Sequence, residues 1–147
     1  MRWMALPVAV GLLAMPATAS AKTIGPEQFG LHVQSLGAGA TPSVSVSAVR
    51  LWDSGVRWDQ IETSKGVYNW AALDRAVSAA ERAGAEEILY VLGSTPKWAA
   101  SKFSSVDLYG PGTASLPKKT SYYLKYAKAV AQRYKGRITS YQIWNEA

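Results

Sequence analysis

Short apolar runs alternate with longer amphipathic stretches from residue 28 onward. This alternation predicts strand and helix units arranged on a parallel sheet, which is an α/β fold. The first connection is ambiguous, because residues 41–48 read T-P-S-V-S-V-S-A and alternate as a strand does. A parallel crossover needs about a dozen residues, so we expect a short, irregular helix within residues 34–47. The predicted strands cover residues 28–33, 48–52, 88–92 and 138–144.

Two amphipathic helices are predicted, over residues 70–83 and 121–135. In each of them, apolar side chains recur three or four positions apart and form one face. Polar residues that can cap a helix stand at the start of both segments, and a glycine that can end a helix follows both. The capping residues are Asn69 and Thr120, and the glycines are Gly84 and Gly136.

Residues 101–119 form a polar connection with Gly110, Pro111 and Gly112 at its centre. This segment is long for a plain connection between a strand and a helix. Loops of this length are usually functional or mobile.

The N-terminal residues 1–21 have the composition of a secretory signal peptide. Arg2 precedes an apolar run over residues 3–15, and overlapping A-x-A sites end at Ala21. A membrane anchor is the alternative, but the run is shorter than the roughly 20 residues that a spanning helix needs, and no second one follows. We therefore predict secretion, to the outside of the cell or the periplasm, and no membrane association after cleavage.

The composition narrows the classes of site that the chain can form. With no cysteine and one histidine, the sequence offers neither a disulfide framework nor a thiolate or multi-histidine metal site, and no organic cofactor is implied. The net charge of +6 is distributed along the chain, whereas a nucleic-acid-binding domain concentrates basic residues on one face. The six tryptophans and eight tyrosines suit sugar stacking and core packing equally well.

The end of the fourth predicted strand carries the residues most suggestive of chemistry. Polar and apolar residues alternate through the strand, and Asn145 and Glu146 follow directly. In a (β/α)₈ barrel, the carboxyl ends of the strands form the catalytic face. A carboxyl group partly enclosed there by aromatic side chains has a raised pKa and can act as a general acid. The alternative interpretation of this pair is that Glu146 is an exposed glutamate near a chain end without a catalytic role.

Further motifs follow in a set order before this strand end. They are F-G-L-H at 29–32, V-R-L-W-D at 49–53, G-V-Y-N-W at 66–70, T-P-K-W at 95–98 and R-Y-K-G-R-I at 133–138. Together with W-N-E at 144–146, they resemble clan A glycoside hydrolases, and most nearly the family 39-like secreted glycosidases. The resemblance implies that residues 22–147 are the N-terminal half, strands one to four, of a truncated catalytic (β/α)₈ barrel. It also implies hydrolysis of O-glycosidic bonds in poly- or oligosaccharides by a retaining mechanism.

The resemblance assigns roles to single residues. Glu146 matches the acid/base residue of the clan, and Asn145 matches its neighbour, which hydrogen-bonds the sugar 2-hydroxyl. Arg50 resembles the arginine that keeps the nucleophilic carboxylate ionised and oriented. The alternatives are a strand-end turn residue for Asn145 and a structural salt bridge for Arg50.

Two further residues are candidates for contact with a sugar. His32 stands near the end of the first predicted strand, where clan members often place a residue that binds the glycone. Trp98 resembles the aromatic residue that flanks the sugar on the third loop. A core histidine and a core tryptophan are the competing interpretations, because the same rings also pack well inside a protein.

A retaining mechanism needs a second carboxylate, which acts as the nucleophile. In the clan this residue comes from the seventh strand, and no carboxylate of this chain is a convincing substitute. The polypeptide by itself is therefore predicted to be inactive. The longer protein of which it would form the N-terminal half is predicted to be an enzyme with a carbohydrate substrate. The alternative function is a secreted, non-catalytic carbohydrate-binding or structural protein built on half a barrel.

Overall fold

The sheet contains four parallel strands in the order β1-β2-β3-β4. The computed structural model describes residues 24–25, 28–103 and 107–145, so the predicted signal peptide and Glu146 lie outside the described residues. Each strand pairs with its neighbour in sequence, which confirms the α/β fold class and the topology of the first four strands of a (β/α)₈ barrel. The strands are β1 (Gly30–His32), β2 (Ala48–Leu51), β3 (Glu87–Leu92) and β4 (Ser140–Ile143).

The central strand β3 is apolar along most of its length. Ile88 and Tyr90 are buried, as are the two residues that end the strand. β3 has a neighbouring strand on each side, and its side chains Ile88, Tyr90 and Leu92 pack into the hydrophobic core on one face of the sheet. The outer strands are shorter than predicted. In particular, β4 ends before Trp144, whose backbone has a φ of 69° that no extended strand adopts.

The first connection contains the expected short helix, a 3₁₀ helix over Gln34–Ala38. Residues 41–47 are not a strand, although their pattern alternates. The 3₁₀ helix approaches the exit of β2 so closely that a Cβ atom on Gly37 would stand 1.6 Å from the backbone oxygen of Ser54. Only glycine fits this contact. Arg75 Nε strengthens the contact with the next helix by donating to the backbone oxygen of Gly37 at 2.8 Å.

Three α-helices cover the sheet: α1 (Trp58–Ile61), α2 (Ala71–Arg82) and α3 (Thr120–Arg133). Both predicted helices are confirmed, whereas the single turn α1 is too short for periodicity to reveal. Gly84 follows α2 with a φ of 85°, as expected of a glycine that ends a helix. The capping prediction for Thr120 was wrong. This residue is the first helical one, and Lys119 occupies the N-cap position without a side-chain hydrogen bond.

Asn69 takes part in the start of α2, although Trp70 holds the N-cap position. The Asn69 Oδ1 atom accepts a hydrogen bond from the backbone N–H of Ala71 at 3.2 Å. The Asn69 side chain therefore satisfies one of the backbone donors that a helix start leaves unpaired. The helix itself begins at Ala71, one residue later than predicted.

Buried aromatic side chains join the helices to the sheet. Trp58 is fully buried and stacks on Tyr126 of α3 with ring centroids 5.1 Å apart. Tyr90 of β3 shares a hydroxyl hydrogen bond with Tyr126 and donates to the backbone oxygen of Val56. Within the described ranges, no helix has both the length and the apolar character needed to cross a membrane.

Candidate functional site

The carboxyl ends of the four parallel strands meet at one edge of the sheet, which we call the carboxyl edge. Arg50 of β2 lies at the centre of this edge and reaches three other side chains. Its Nη2 donates to Asn145 Oδ1 at 2.5 Å, and its Nε donates to Gln142 Oε1 at 3.3 Å. Its Nη1 lies 3.4 Å from His32 Nδ1. A guanidinium group is a donor only, so this contact favours the histidine tautomer with its proton on Nε2.

The structure thus brings together three of the residues predicted from the sequence: His32, Arg50 and Asn145. Parallel register explains part of this arrangement, since His32 is the register partner of Arg50 on the neighbouring strand. His32 lies at the surface of the described chain rather than in the core, and its Nε2 stands 3.9 Å from Asp53 Oδ2. Among the described residues, Arg50 donates to the neutral side chains of Gln142 and Asn145 and forms no salt bridge.

Trp98 does not belong to this cluster. Its indole Nε1 donates to the backbone oxygen of Glu62 at 2.8 Å, and its ring lies 6.2 Å from that of Trp58 and 5.2 Å from that of Tyr122. It lines a separate cavity of about 200 Å³ on the helical side of the sheet. The predicted contact of Trp98 with a sugar stays a prediction.

A cavity of about 260 Å³ opens beside Asn145 at the carboxyl edge. Three aromatic side chains form its walls: Trp52 at the exit of β2, Trp144 at the exit of β4, and Tyr109 of the long 101–119 loop. The Trp52 and Tyr109 rings meet edge to face with centroids 5.7 Å apart, and Trp52 Nε1 donates to the Tyr109 hydroxyl at 3.2 Å. The cavity is lined by Trp52, Ser94, Leu108, Tyr109, Thr113, Ala114, Trp144 and Asn145.

Tyr109 is held in a charged environment. The Arg57 guanidinium carbon lies 4.2 Å from the centroid of its ring, a cation–π contact that fixes the loop to the start of α1. Burial raises the pKa of the Tyr109 hydroxyl above its usual value, and the nearby Asp53 carboxylate raises it further, while the hydrogen bond from Trp52 opposes the shift. The hydroxyl is therefore neutral and available for hydrogen bonding across the ordinary pH range.

Backbone strain and unsatisfied polar atoms are concentrated at the same edge. Ser94, after β3, and Trp144, after β4, are the non-glycine residues of the described chain with positive φ, at 68° and 69°. Two buried side-chain oxygens, Ser94 Oγ and Asp53 Oδ1, have no hydrogen-bond partner among the described residues. Strained backbones and unpaired buried polar atoms often accompany binding and catalytic sites, where the surrounding structure holds them in place although they lower the stability of the fold.

Sequence reasoning missed several residues of this site. Gln142 could have been found, because the two-residue period of a strand places it on the face of β4 opposite to Tyr141 and Ile143. Tyr109 and Ser94 gave no comparable signal, since a loop has no periodicity that would indicate where its side chains meet. In the part of the chain that the structure describes, no group of three His, Cys, Asp or Glu side chains converges to hold a metal ion.

Comparison with solved structures identifies the fold. The chain is similar to a family 39 glycoside hydrolase from the gut symbiont Bacteroides cellulosilyticus WH2. The TM-score is 0.52 at 22% identity, over 69% of this chain and 19% of that one. A β-galactosidase from the Antarctic haloarchaeon Halorubrum lacusprofundi matches with a TM-score of 0.46 at 18% identity, over 69% of this chain and 17% of that one. No protein-family model and no curated protein matches the sequence.

The resemblance to family 39 glycoside hydrolases predicted from the sequence is thus confirmed at the level of the fold. This chain spans about a fifth of the length of the family 39 enzyme that it matches.

Proposed function

We propose that this chain supplies part of the active site of a secreted, retaining glycoside hydrolase that acts on O-glycosidic bonds of poly- or oligosaccharides. The observation that carries the proposal is the hydrogen bond from Arg50 to Asn145 beside the aromatic cavity. This hydrogen bond holds the side-chain amide of Asn145, the residue before Glu146, at the carboxyl edge. Enzymes with this fold perform their chemistry at that edge.

Each member of the cluster has a role in this proposal. Glu146 protonates the glycosidic oxygen as general acid and then activates water as general base. Asn145 hydrogen-bonds the sugar 2-hydroxyl, a contact that strengthens as the transition state forms. Arg50 keeps Asn145 in place, and its positive charge lowers the pKa of a carboxylate beside it, so that the nucleophile stays ionised. His32 contacts the glycone from the neighbouring strand.

Double displacement requires a second carboxylate about 5–5.5 Å from the first. The Asp53 Oδ2 atom lies 3.9 Å from His32 Nε2 at the exit of β2, whereas the resemblance assigns the nucleophile to the seventh strand. We therefore propose that the nucleophile comes from the seventh strand of the complete barrel, and that residues 22–147 alone do not turn over glycosides.

Carbohydrate binding without chemistry is the second candidate function. The cavity walled by Trp52, Tyr109 and Trp144 favours it, because aromatic faces bind sugars whether or not a catalytic carboxylate is present. The two functions differ in turnover, which a single substitution can test.

The test uses the protein expressed from its complete reading frame, with Glu146→Ala compared with wild type. General acid catalysis contributes about 10²–10⁴-fold. The variant should lose activity in this range on a natural β-glycoside and much less in the glycosylation of the enzyme by a dinitrophenyl glycoside, whose leaving group needs no proton. Added azide should restore turnover and give a β-glycosyl azide. Glu146→Gln is the matched control, because it keeps the size of the side chain and cannot transfer a proton.

Equal losses on both substrates without azide rescue would contradict the assignment of Glu146 as acid/base. Absence of turnover by the wild-type protein, together with binding of oligosaccharides, would favour the non-catalytic function.

A further inference from the structure

Ser94 lies at the exit of β3 and has a buried hydroxyl group. The residue is 2% exposed, and its Oγ atom has no hydrogen-bond partner among the described residues. A buried polar group that makes no hydrogen bond lowers the stability of the folded state. Serine at this position therefore calls for an explanation that alanine or glycine would not need.

Backbone geometry does not supply that explanation. The carbonyl groups of Gly93 and Ser94 accept hydrogen bonds from the N–H groups of Trp58 and Asp59, each at 3.0 Å, at the start of α1. These two bonds account for the left-handed backbone at Ser94, with its φ of 68°. Neither of them uses the hydroxyl group, and glycine adopts such a backbone more readily than serine. The side chain is thus unnecessary for the turn.

The position of Ser94 suggests what the hydroxyl does. Ser94 lines the aromatic cavity at the carboxyl edge. Two other polar groups of the cavity wall are engaged with the protein, since Thr113 Oγ1 donates to the backbone oxygen of Gly110 at 2.7 Å and Trp52 Nε1 donates to Tyr109. The Ser94 hydroxyl thus retains its hydrogen-bonding capacity at the wall where a ligand would sit.

We propose that Ser94 is a ligand-binding residue, whose hydroxyl hydrogen-bonds a hydroxyl group of a pyranose ring seated between Trp52, Tyr109 and Trp144. This inference rests on the proposed carbohydrate function and adds to it a polar contact from the third strand. The Oγ atom is buried beneath the cavity wall. Binding therefore involves rotation of the serine side chain about its Cα–Cβ bond toward the ligand, which is a fast motion for so small a group.

The experiment measures the affinity of the protein from its complete reading frame for methyl β-glycosides of glucose, galactose, mannose and xylose by calorimetry. Ser94→Ala and Ser94→Gly both remove the hydroxyl, but only glycine relieves the backbone at this position. We expect both variants to bind the preferred glycoside about three- to tenfold more weakly, the loss of one hydrogen bond. The melting temperature should not fall in Ser94→Gly, because an unsatisfied buried group and a strained backbone are both removed.

Ser54→Ala is the matched control. Ser54 is 4% exposed, and its Oγ donates to the backbone oxygen of Val33 at 2.9 Å, away from the cavity. This variant should melt at a lower temperature and bind the glycoside with unchanged affinity.

Unchanged affinity in both Ser94 variants would overturn the inference while leaving the Glu146 test of the proposed function untouched. A loss confined to Ser94→Ala would overturn it as well, because the effect would then come from the backbone. An equal loss in Ser54→Ala would do the same, since the effect would not be specific to the cavity. Failure of the wild-type protein to bind any of the four glycosides would also overturn it, whatever the turnover measurements give.

Discussion

The helical side and the carboxyl edge differ in how completely their polar groups are hydrogen-bonded among the described residues. On the helical side, Asp74 of α2 accepts hydrogen bonds from Arg133 at 2.7 and 3.0 Å and from the Tyr134 hydroxyl at 2.8 Å. Arg137 makes a two-pronged contact with Glu81 at 2.7 and 2.8 Å. At the carboxyl edge, by contrast, a buried hydroxyl and a buried carboxylate oxygen have no partner among the described residues, and two residues have strained backbones.

This difference separates what stabilises the chain from what the chain can bind. A satisfied polar group contributes to stability but has nothing left to offer a ligand. An unsatisfied group lowers stability, yet a ligand can complete its hydrogen bonds. Substitutions on the helical side should therefore change unfolding, and substitutions at the carboxyl edge should change binding and turnover.

The largest effect is expected for Trp58→Ala on the helical side. Trp58 is fully buried, stacks on Tyr126, and donates from its Nε1 to Glu62 Oε2 at 2.7 Å. Removal of a buried aromatic side chain costs about 3–5 kcal/mol of unfolding free energy. Urea unfolding measures this loss. Leu124→Ala on α3 is the control, because Leu124 is 60% exposed and should tolerate truncation. A loss below about 1 kcal/mol for Trp58→Ala would mean that the aromatic contacts do not hold the helices to the sheet.

The second effect is expected at the carboxyl edge, for Arg50→Met. Methionine keeps much of the length of the side chain but cannot hold Asn145, Gln142 and His32. Misplacement of a positioning group by about 1 Å can cost about 100-fold, so kcat/KM on an aryl β-glycoside should fall by about that factor, or about 2.7 kcal/mol. The fall should be mainly in kcat, because the proposed contact of Asn145 with the sugar 2-hydroxyl would strengthen in the transition state.

Arg137→Met provides the comparison for this prediction. This substitution removes an arginine that donates hydrogen bonds to Ser78 and Glu81 on the helical side, and it should leave kcat/KM unchanged. Full activity of Arg50→Met, or equal losses in the two variants, would remove the distinction between the two regions.

The smallest effect is expected for Asp74→Asn, and it should depend on pH. The hydrogen bond from Arg133 is the main cause that lowers the pKa of the Asp74 carboxyl, with a smaller contribution from Tyr134, while partial burial opposes the shift. A carboxyl group with a lowered folded-state pKa stabilises the protein above its unfolded-state pKa, near 3.9, and this stability is lost as the pH falls through the folded value.

Because the Asp74 side chain is 38% exposed, solvent screening limits the loss in Asp74→Asn to about 1 kcal/mol at pH 7. The difference between wild type and variant in urea unfolding should shrink as the pH falls below about 4. Activity at pH 7 should stay at the wild-type level. A difference that is constant with pH would mean that the charge of Asp74 contributes nothing.

Much of the fold followed from the sequence, because its signals are local. The helix over Ala71–Arg82 was evident from its apolar face and from the glycine after it, and β3 was evident as an apolar run between turns. Boundaries were less accurate. The prediction extended β4 through Trp144, and only the backbone conformation at that residue, which depends on its neighbours in space, ends the strand.

The sequence by itself determined which elements form and which residues stand at the ends of the strands. The carboxyl ends of parallel strands share one edge, so the strand positions of His32, Arg50 and Asn145 already bring the three residues to the same side of the sheet. Only the tertiary structure decided which side chains meet there. Arg50 contacts a residue 95 positions away, and Trp52 contacts Tyr109, 57 positions away. It also directs Trp98 to the helical side and gives the Ser94 hydroxyl no partner within the described ranges. Such contacts depend on how loops pack over a finished sheet, and no periodicity along the chain encodes them.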